Sequence, residues 1–161
     1  MPEAPEVEAV VRALRPIVEG RTIRSARVVH PIAVRPQTAR FFAKHVEAQR
    51  IDGVTRRGKH LLLQLSDGVL VLHFRFDGQL VLFDKNPPRS THVDVVLQLD
   101  EKLLAFVDPR HLGRIVWYPD RDSSPGLRKL GLDVFSKDFT LGALSAALRL
   151  SLIQISEPTR P

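Results

Sequence analysis

The chain has 161 residues, 43% of them hydrophobic, which suits one globular domain with its own core and argues against a disordered polymer. Its 24 Lys and Arg outweigh 18 Asp and Glu, for a formal charge of +6 and a pI near 10.3, so a polyanion such as nucleic acid is a natural partner. The sequence contains no cysteine, no basic-then-apolar leader and no apolar run near the roughly 18 residues that span a bilayer; these absences exclude a disulfide framework and a cysteine-bearing zinc site and predict a soluble, intracellular protein without a membrane partner.

The opening Met1-Pro2-Glu3-Ala4-Pro5-Glu6 precedes Val7, Val10, Val11, Leu14 and Val18, apolar residues at helical spacing, and Gly20 is placed to stop that helix. Pro5 suits a first helical turn, and Glu3 and Glu6 complement the positive end of the helix dipole. On residue types alone this tip is either simple helix initiation or, once Met1 is removed, a secondary amine at Pro2 with a carboxylate beside it.

The period then changes. RTIRSARVV alternates as a strand does, and ARFFAKHV reads as a short helix. A dense run of β signal follows: VEAQRIDGVTRRG, HLLLQLS, VLVLHFRF, QLVLFD, HVDVVLQL, KLLAFVD and GRIVWYP, with Asp67-Gly68 and Asp77-Gly78 as hairpin signals between apolar runs. Such spacing predicts an antiparallel sandwich or barrel rather than βαβ units. A proline-bearing loop, YPDRDSSPGLRK, leads to a closing helix in FTLGALSAALRL, and the last eleven residues, SLIQISEPTRP, continue no visible period. The expected fold is mainly β with flanking α: an antiparallel β-sandwich with a helix at each end.

Three local groups could carry chemistry. Pro2, Glu3 and Glu6 form the first. The second is Arg56-Arg57-Gly58-Lys59-His60, either a solvated turn or a rigid mount at a strand start from which Lys59 meets a phosphate or passes a proton. The third is Asp108-Pro109-Arg110-His111-Leu112-Gly113, which is turn chemistry but also offers an arginine and an apolar wedge two residues apart. His73 is expected to share one strand face with Arg75.

MPEAPEVE, RRGKHLLLQL, HFRFDGQL, HVDVVLQL and DPRHLGRI, in this order and spacing, resemble the N-terminal domain of the formamidopyrimidine-DNA glycosylase (Fpg/Nei) family from Met1 to about Leu148. The resemblance implies base-excision repair of oxidised or ring-opened purines by a bifunctional DNA glycosylase and lyase. Pro2 is then the nucleophile, Glu3 the acid at the sugar oxygen or leaving group, Lys59 the proton donor for β-elimination and a phosphate contact, and Glu6 a supporting group. An α-amino group titrates near pH ~8, and cations nearby lower that, which favours the unprotonated nucleophile. It also implies that His73, Arg57 and Arg110 contact DNA. Phe76, Arg110 and Leu112 fill the gap left by the extruded base, with Phe76 where the family has methionine and Leu112 where it has phenylalanine.

Other departures are Pro88-Arg89-Ser90-Thr91 in place of a DNA-contacting histidine, and Leu150-Ser151-Leu152 in place of a lysine-rich segment. Residues 149–161 stand as an atypical tail where a helix–two-turn–helix region begins in the family. Full-length members usually carry one zinc in a later four-cysteine finger, so no cofactor is expected in this chain. The implied partner is double-stranded DNA with a damaged base or an abasic site, bound by a monomer in the cytoplasm or nucleoid. Two alternatives stay open: a non-catalytic fragment that binds damaged DNA, and a basic β-sandwich with no DNA role.

Overall fold

The computed structural model describes residues 2–84 and 92–156, with backbone alone for 150–156. It divides into two compact units, Met1–Arg128 and Lys129–Pro161. The first holds helix α1 (Ala4–Val18), strand β1 (Ile23–Val28), a 3₁₀ turn (Pro31–Val34), α2 (Ala39–Val46), and strands β2 (Ile51–Arg57), β3 (His60–Leu65), β4 (Val69–His73), β5 (Gln79–Phe83), β6 (Val93–Leu99), β7 (Lys102–Val107) and β8 (Arg114–Tyr118). The short helix α3 (Pro125–Arg128) ends that unit.

The strands form two four-stranded antiparallel sheets, ordered β1-β6-β7-β5 and β2-β3-β4-β8. Period-2 alternation decides which side chains meet between them. Leu61, Leu63 and Leu65 of β3, Leu70 and Leu72 of β4, and Ile115 and Trp117 of β8 face Val95, Leu97, Leu99, Leu104 and Phe106 from the other sheet. Each such side chain taken out of water contributes about 1.5–3 kcal/mol before entropy is counted. Helix α1 joins this core through Val7, Val11, Leu14 and Val18, the stripe expected from the sequence, and packs on β2 and β3. Helix α2, capped by the Thr38 hydroxyl accepting from Phe41 N–H at 3.1 Å, packs on β1 and β8 through Phe42 and Val46.

Two expectations need correction. Asp77-Gly78 is a turn but not a hairpin: β4 belongs to one sheet and β5 to the other, so the chain crosses the sandwich there. Arg75, with φ of 58°, breaks the extended run, and Gly78 N–H bonds Phe74 O at 3.1 Å. A Cβ at Gly78 would lie 2.6 Å from that same oxygen, so the turn closes only on glycine. For the same reason His73 ends its strand, and Arg75 does not share a strand face with it. The Asp67-Gly68 turn does join paired strands, with Gly68 at φ 86°.

In the second unit Thr140 Oγ1 accepts from Ala143 N–H at 3.2 Å and starts helix α4 (Leu141–Ser156). The helix runs on through SLIQIS, where the sequence shows no continuing period. No glycine or proline interrupts that stretch until Pro158, and the residue before a proline disfavours the helical region. The Pro88-Arg89-Ser90-Thr91 departure, the end of the tail and the Leu150-Ser151-Leu152 side chains lie outside the described residues. Among the described residues, no helix is long and apolar enough to cross a membrane.

Candidate active site

Glu3 is the N-cap of α1 in extended conformation, and its N–H donates to Glu6 Oε2 at 3.0 Å, so the carboxylate of the first turn closes back on the tip. Pro2 immediately precedes that cap. It lines a cavity of about 270 Å³ together with Glu6, Val10, Phe74, Gln79 and Leu80.

Across the chain, β2 and β3 form a two-residue hairpin in which Arg57 pairs with His60. Gly58 takes φ 57°, which lets the turn close in so few residues. Lys59 therefore sits in the turn itself, one residue before the strand start expected for it. Its Nζ donates to Glu3 Oε1 at 2.7 Å, across 56 residues of sequence. Pro2, Glu3, Glu6 and Lys59 are thus brought to one place, with the cation and the carboxylate in proton-transfer contact.

What holds the hairpin to the helix is Arg56, in sequence one cation among several in RRGKH. Its side chain is only 3% exposed; Nε donates to Glu8 Oε2 at 3.1 Å and Nη1 to Gly58 O at 2.9 Å. One guanidinium therefore clamps the first turns of α1 and the turn that carries Lys59. Farther along, Arg15 donates to Val54 O at 2.8 Å and Glu19 accepts from Val54 N–H at 2.9 Å, which extends the same seam.

His73 closes β4 opposite His60, with ring centroids 4.7 Å apart. Burial, followed by the charges of His60, Arg75 and Lys59, lowers its pKa to about 4, so at neutral pH the ring is uncharged. Arg75 N–H donates to His73 Nδ1 at 3.0 Å, which leaves Nε2 as the protonated nitrogen and a hydrogen-bond donor. His60 is also lowered, mainly by burial. Both histidines border a cavity of about 160 Å³ with Arg35, Arg75 and Arg114, a lining suited to anions.

The third group is built by register. Gln79 of β5 pairs with Val107 of β7, so the turn before β5 and the loop after β7 lie side by side. Phe76 is 49% exposed at the first, and Leu112 41% exposed at the second. Arg110 Nε meets Asp77 Oδ2 at 2.7 Å, and its guanidinium carbon lies 5.7 Å from the Phe76 ring centroid. Asp108 is buried beneath the loop, its carboxylate accepting from the N–H groups of Arg110 (3.0 Å), Leu112 (2.8 Å) and Gly113 (2.6 Å). A Cβ at Gly113 would stand 2.5 Å from the Phe106 ring, so the loop rests directly on the core. The Pro2 cavity reaches the other side of this turn through Phe74 and Gly78.

Residues 1–115 match the family model described as formamidopyrimidine-DNA glycosylase N-terminal domain. Among similar proteins, the formamidopyrimidine-DNA glycosylases of Desulforamulus reducens and Symbiobacterium thermophilum are 35% and 36% identical, each over 92% of this chain and 56% and 50% of theirs. Two solved structures of the Lactococcus lactis enzyme, one with DNA containing an abasic site and one with DNA containing N7-benzyl-Fapy-dG, superpose with TM-score 0.83 at 27% and 28% identity. Both cover 92% of this chain, and 58% and 56% of theirs. This chain belongs to the formamidopyrimidine-DNA glycosylase family, and it spans about half the length of those relatives. A four-cysteine zinc finger finds no ligands in a sequence without cysteine.

Proposed function

We propose that this chain is the catalytic half of a bifunctional DNA glycosylase and abasic-site lyase of base-excision repair, acting on oxidised or ring-opened purines in duplex DNA. The observation that carries this reading is the Lys59–Glu3 contact of 2.7 Å, which sets an acid–base pair beside the one residue whose nitrogen becomes a secondary amine when Met1 is removed. A DNA substrate puts such a protein in the cytoplasm, at the nucleoid in a bacterium, and nothing in its chemistry calls for a second copy.

In this mechanism the Pro2 nitrogen attacks C1′ of the damaged nucleotide, and the bond from C1′ to the base breaks. The C1′–O4′ bond then opens as the Glu3 carboxylate takes up the proton shed by the Pro2 nitrogen and delivers it to O4′, leaving a cationic iminium between Pro2 and the sugar. Loss of a C2′ proton breaks the C3′–O3′ bond, and loss of a C4′ proton breaks the C5′–O5′ bond. Water then hydrolyses the iminium and restores the amine. Lys59 passes protons in these steps and meets a phosphate, while Glu6 keeps the tip in place through Glu3 N–H. His73 gives a neutral hydrogen bond to a phosphate through Nε2, and Arg57 adds charge beside it. Extruding a base costs a few kcal/mol, offset by Phe76, Arg110 and Leu112 in the vacated stack.

The test is borohydride trapping on a duplex with an abasic site, using the chain with Met1 removed, a form retaining Met1, and Pro2→Gly. A covalent protein–DNA band that disappears when Met1 stays on is the expected result; weak trapping by Pro2→Gly agrees with it, since glycine supplies its own amine. No band from folded protein verified to lack Met1 would overturn the reading. It would favour the second one, a fragment that binds damaged DNA without turnover, which the half-length match to the relatives makes worth naming.

A further inference from the structure

We propose that His30, Asp94 and His111 form a site for one divalent cation of the zinc class, which ties the loop bearing Arg110 and Leu112 to the sandwich. One ligand atom from each residue lies within 4.8 Å of the others. Asp94 is fully buried; Oδ1 accepts from His111 Nδ1 at 2.5 Å, and Oδ2 has no hydrogen-bond partner among the described residues. An unpartnered carboxylate oxygen in the interior is costly, and a cation is one group that satisfies it.

The three residues are convergent by construction. Asp94 sits at a bulge of β6, between the paired residues Val93 and Val95. Its carbonyl accepts from Val29 N–H at 2.8 Å and His30 N–H at 3.1 Å, which fixes His30 at the end of β1. His111 is held over the same spot by the Asp108 loop, at φ 53°, with its ring centroid 4.3 Å from that of His30.

Bonds of about 2.0–2.2 Å to tetrahedral zinc set ligand atoms roughly 3.4 Å apart, so the cluster closes on an ion by side-chain rotation of about 1.4 Å or less. Two imidazoles and one carboxylate favour Zn²⁺, Co²⁺ or Ni²⁺ over Mg²⁺ or Ca²⁺. Three protein ligands leave the fourth position to water. The site uses none of the residues assigned to chemistry at Pro2, so it stands or falls apart from that assignment.

The experiment is calorimetric titration of the full chain with Zn²⁺ alone, repeated on His30→Ala, His111→Ala and His73→Asn, each verified as folded by circular dichroism. The expected result is one saturable site whose Kd weakens by more than about tenfold in His30→Ala and His111→Ala and is unchanged in His73→Asn. Binding that survives both alanine variants would assign the cation elsewhere, and no saturable binding by the parent chain would overturn the site. Asp94→Asn is avoided as the primary variant because its carboxylate also supports the fold. A Zn²⁺-dependent rise in Tm, present in the parent and absent in His30→Ala, is the second readout.

Discussion

The tip of α1 and the paired wedge loops sit on the same sandwich but are held in different ways. At the tip, charged side chains far apart in sequence make the geometry: Lys59 on Glu3, Arg56 on Glu8, Arg15 and Glu19 on Val54. At the wedge, what is held is mainly backbone, gripped by one buried carboxylate, with a single exposed ion pair, Arg110 to Asp77, between the loops. Asp108 gathers three N–H groups, Gly78 and Gly113 permit close approach, and β5–β7 pairing sets the loops abreast. By the resemblance read in the sequence, the wedge is where the chain departs, with Phe76 and Leu112 where methionine and phenylalanine are expected. A site held by its side chains tolerates little change in them; a site held by its backbone leaves its side chains free to vary.

That contrast breaks first at Arg56. Arg56→Met keeps the stem and removes the clamp, and loss of hydrogen bonds from a buried charged group is expected to lower unfolding free energy by about 2–3 kcal/mol in urea titration. The iminium-trapping rate should drop with it even under conditions where the variant is fully folded, because Lys59 loses its bracing. Trapping at the parent rate would mean that the hairpin holds Lys59 unaided.

A smaller effect comes from pH. His73 takes up its proton at about 4 in the folded protein and at about 6.5 in the unfolded chain, so the unfolded state binds more protons between those values. Stability is therefore full above pH 6.5 and falls as pH drops toward 4, with His60 acting in the same direction. Urea titrations at pH 7.5 and 4.5 should show a decrease in the parent that is visibly smaller in His73→Asn. An equal decrease in both would assign the acid sensitivity to other groups.

The smallest effect in stability is expected at the wedge. Asp77 and Arg110 are both substantially exposed, and such pairs contribute about 0–1 kcal/mol, so Asp77→Asn should leave Tm almost unchanged. It also removes a negative charge from the rim and frees Arg110. Duplex affinity by fluorescence anisotropy at fixed salt is expected to rise roughly two- to fivefold, the scale of one added phosphate contact. An unchanged affinity would show that Arg110 already leaves Asp77 without cost.

Much of this was legible in the chain itself. The α1 stripe follows from its 3.6-residue period, the sandwich from alternating runs and turn residues, and the candidate tip from its first six residues. The sheet change at Asp77-Gly78 was not, because Asp-Gly marks a reversal without saying which strand comes next to it. Arg56 carries no signal of its own, because its meaning lies in Glu8, 48 residues away, and the same run holds Arg57 and Lys59. His30, Asp94 and His111 carry no local signature either; a bulge and a loop bring them together from three separate segments.

The crossing at residues 74–78 has a mechanical consequence. Under the proposed function Phe76 enters a base stack, where it must resist the duplex as it tries to straighten. Phe76 stands on a short span rooted at one end in β4 and at the other in β5, with Phe74 seated in the core between the sheets. Load on the tip is therefore delivered to both layers at once, as on a beam fixed at each end, rather than being absorbed by a pliant arm.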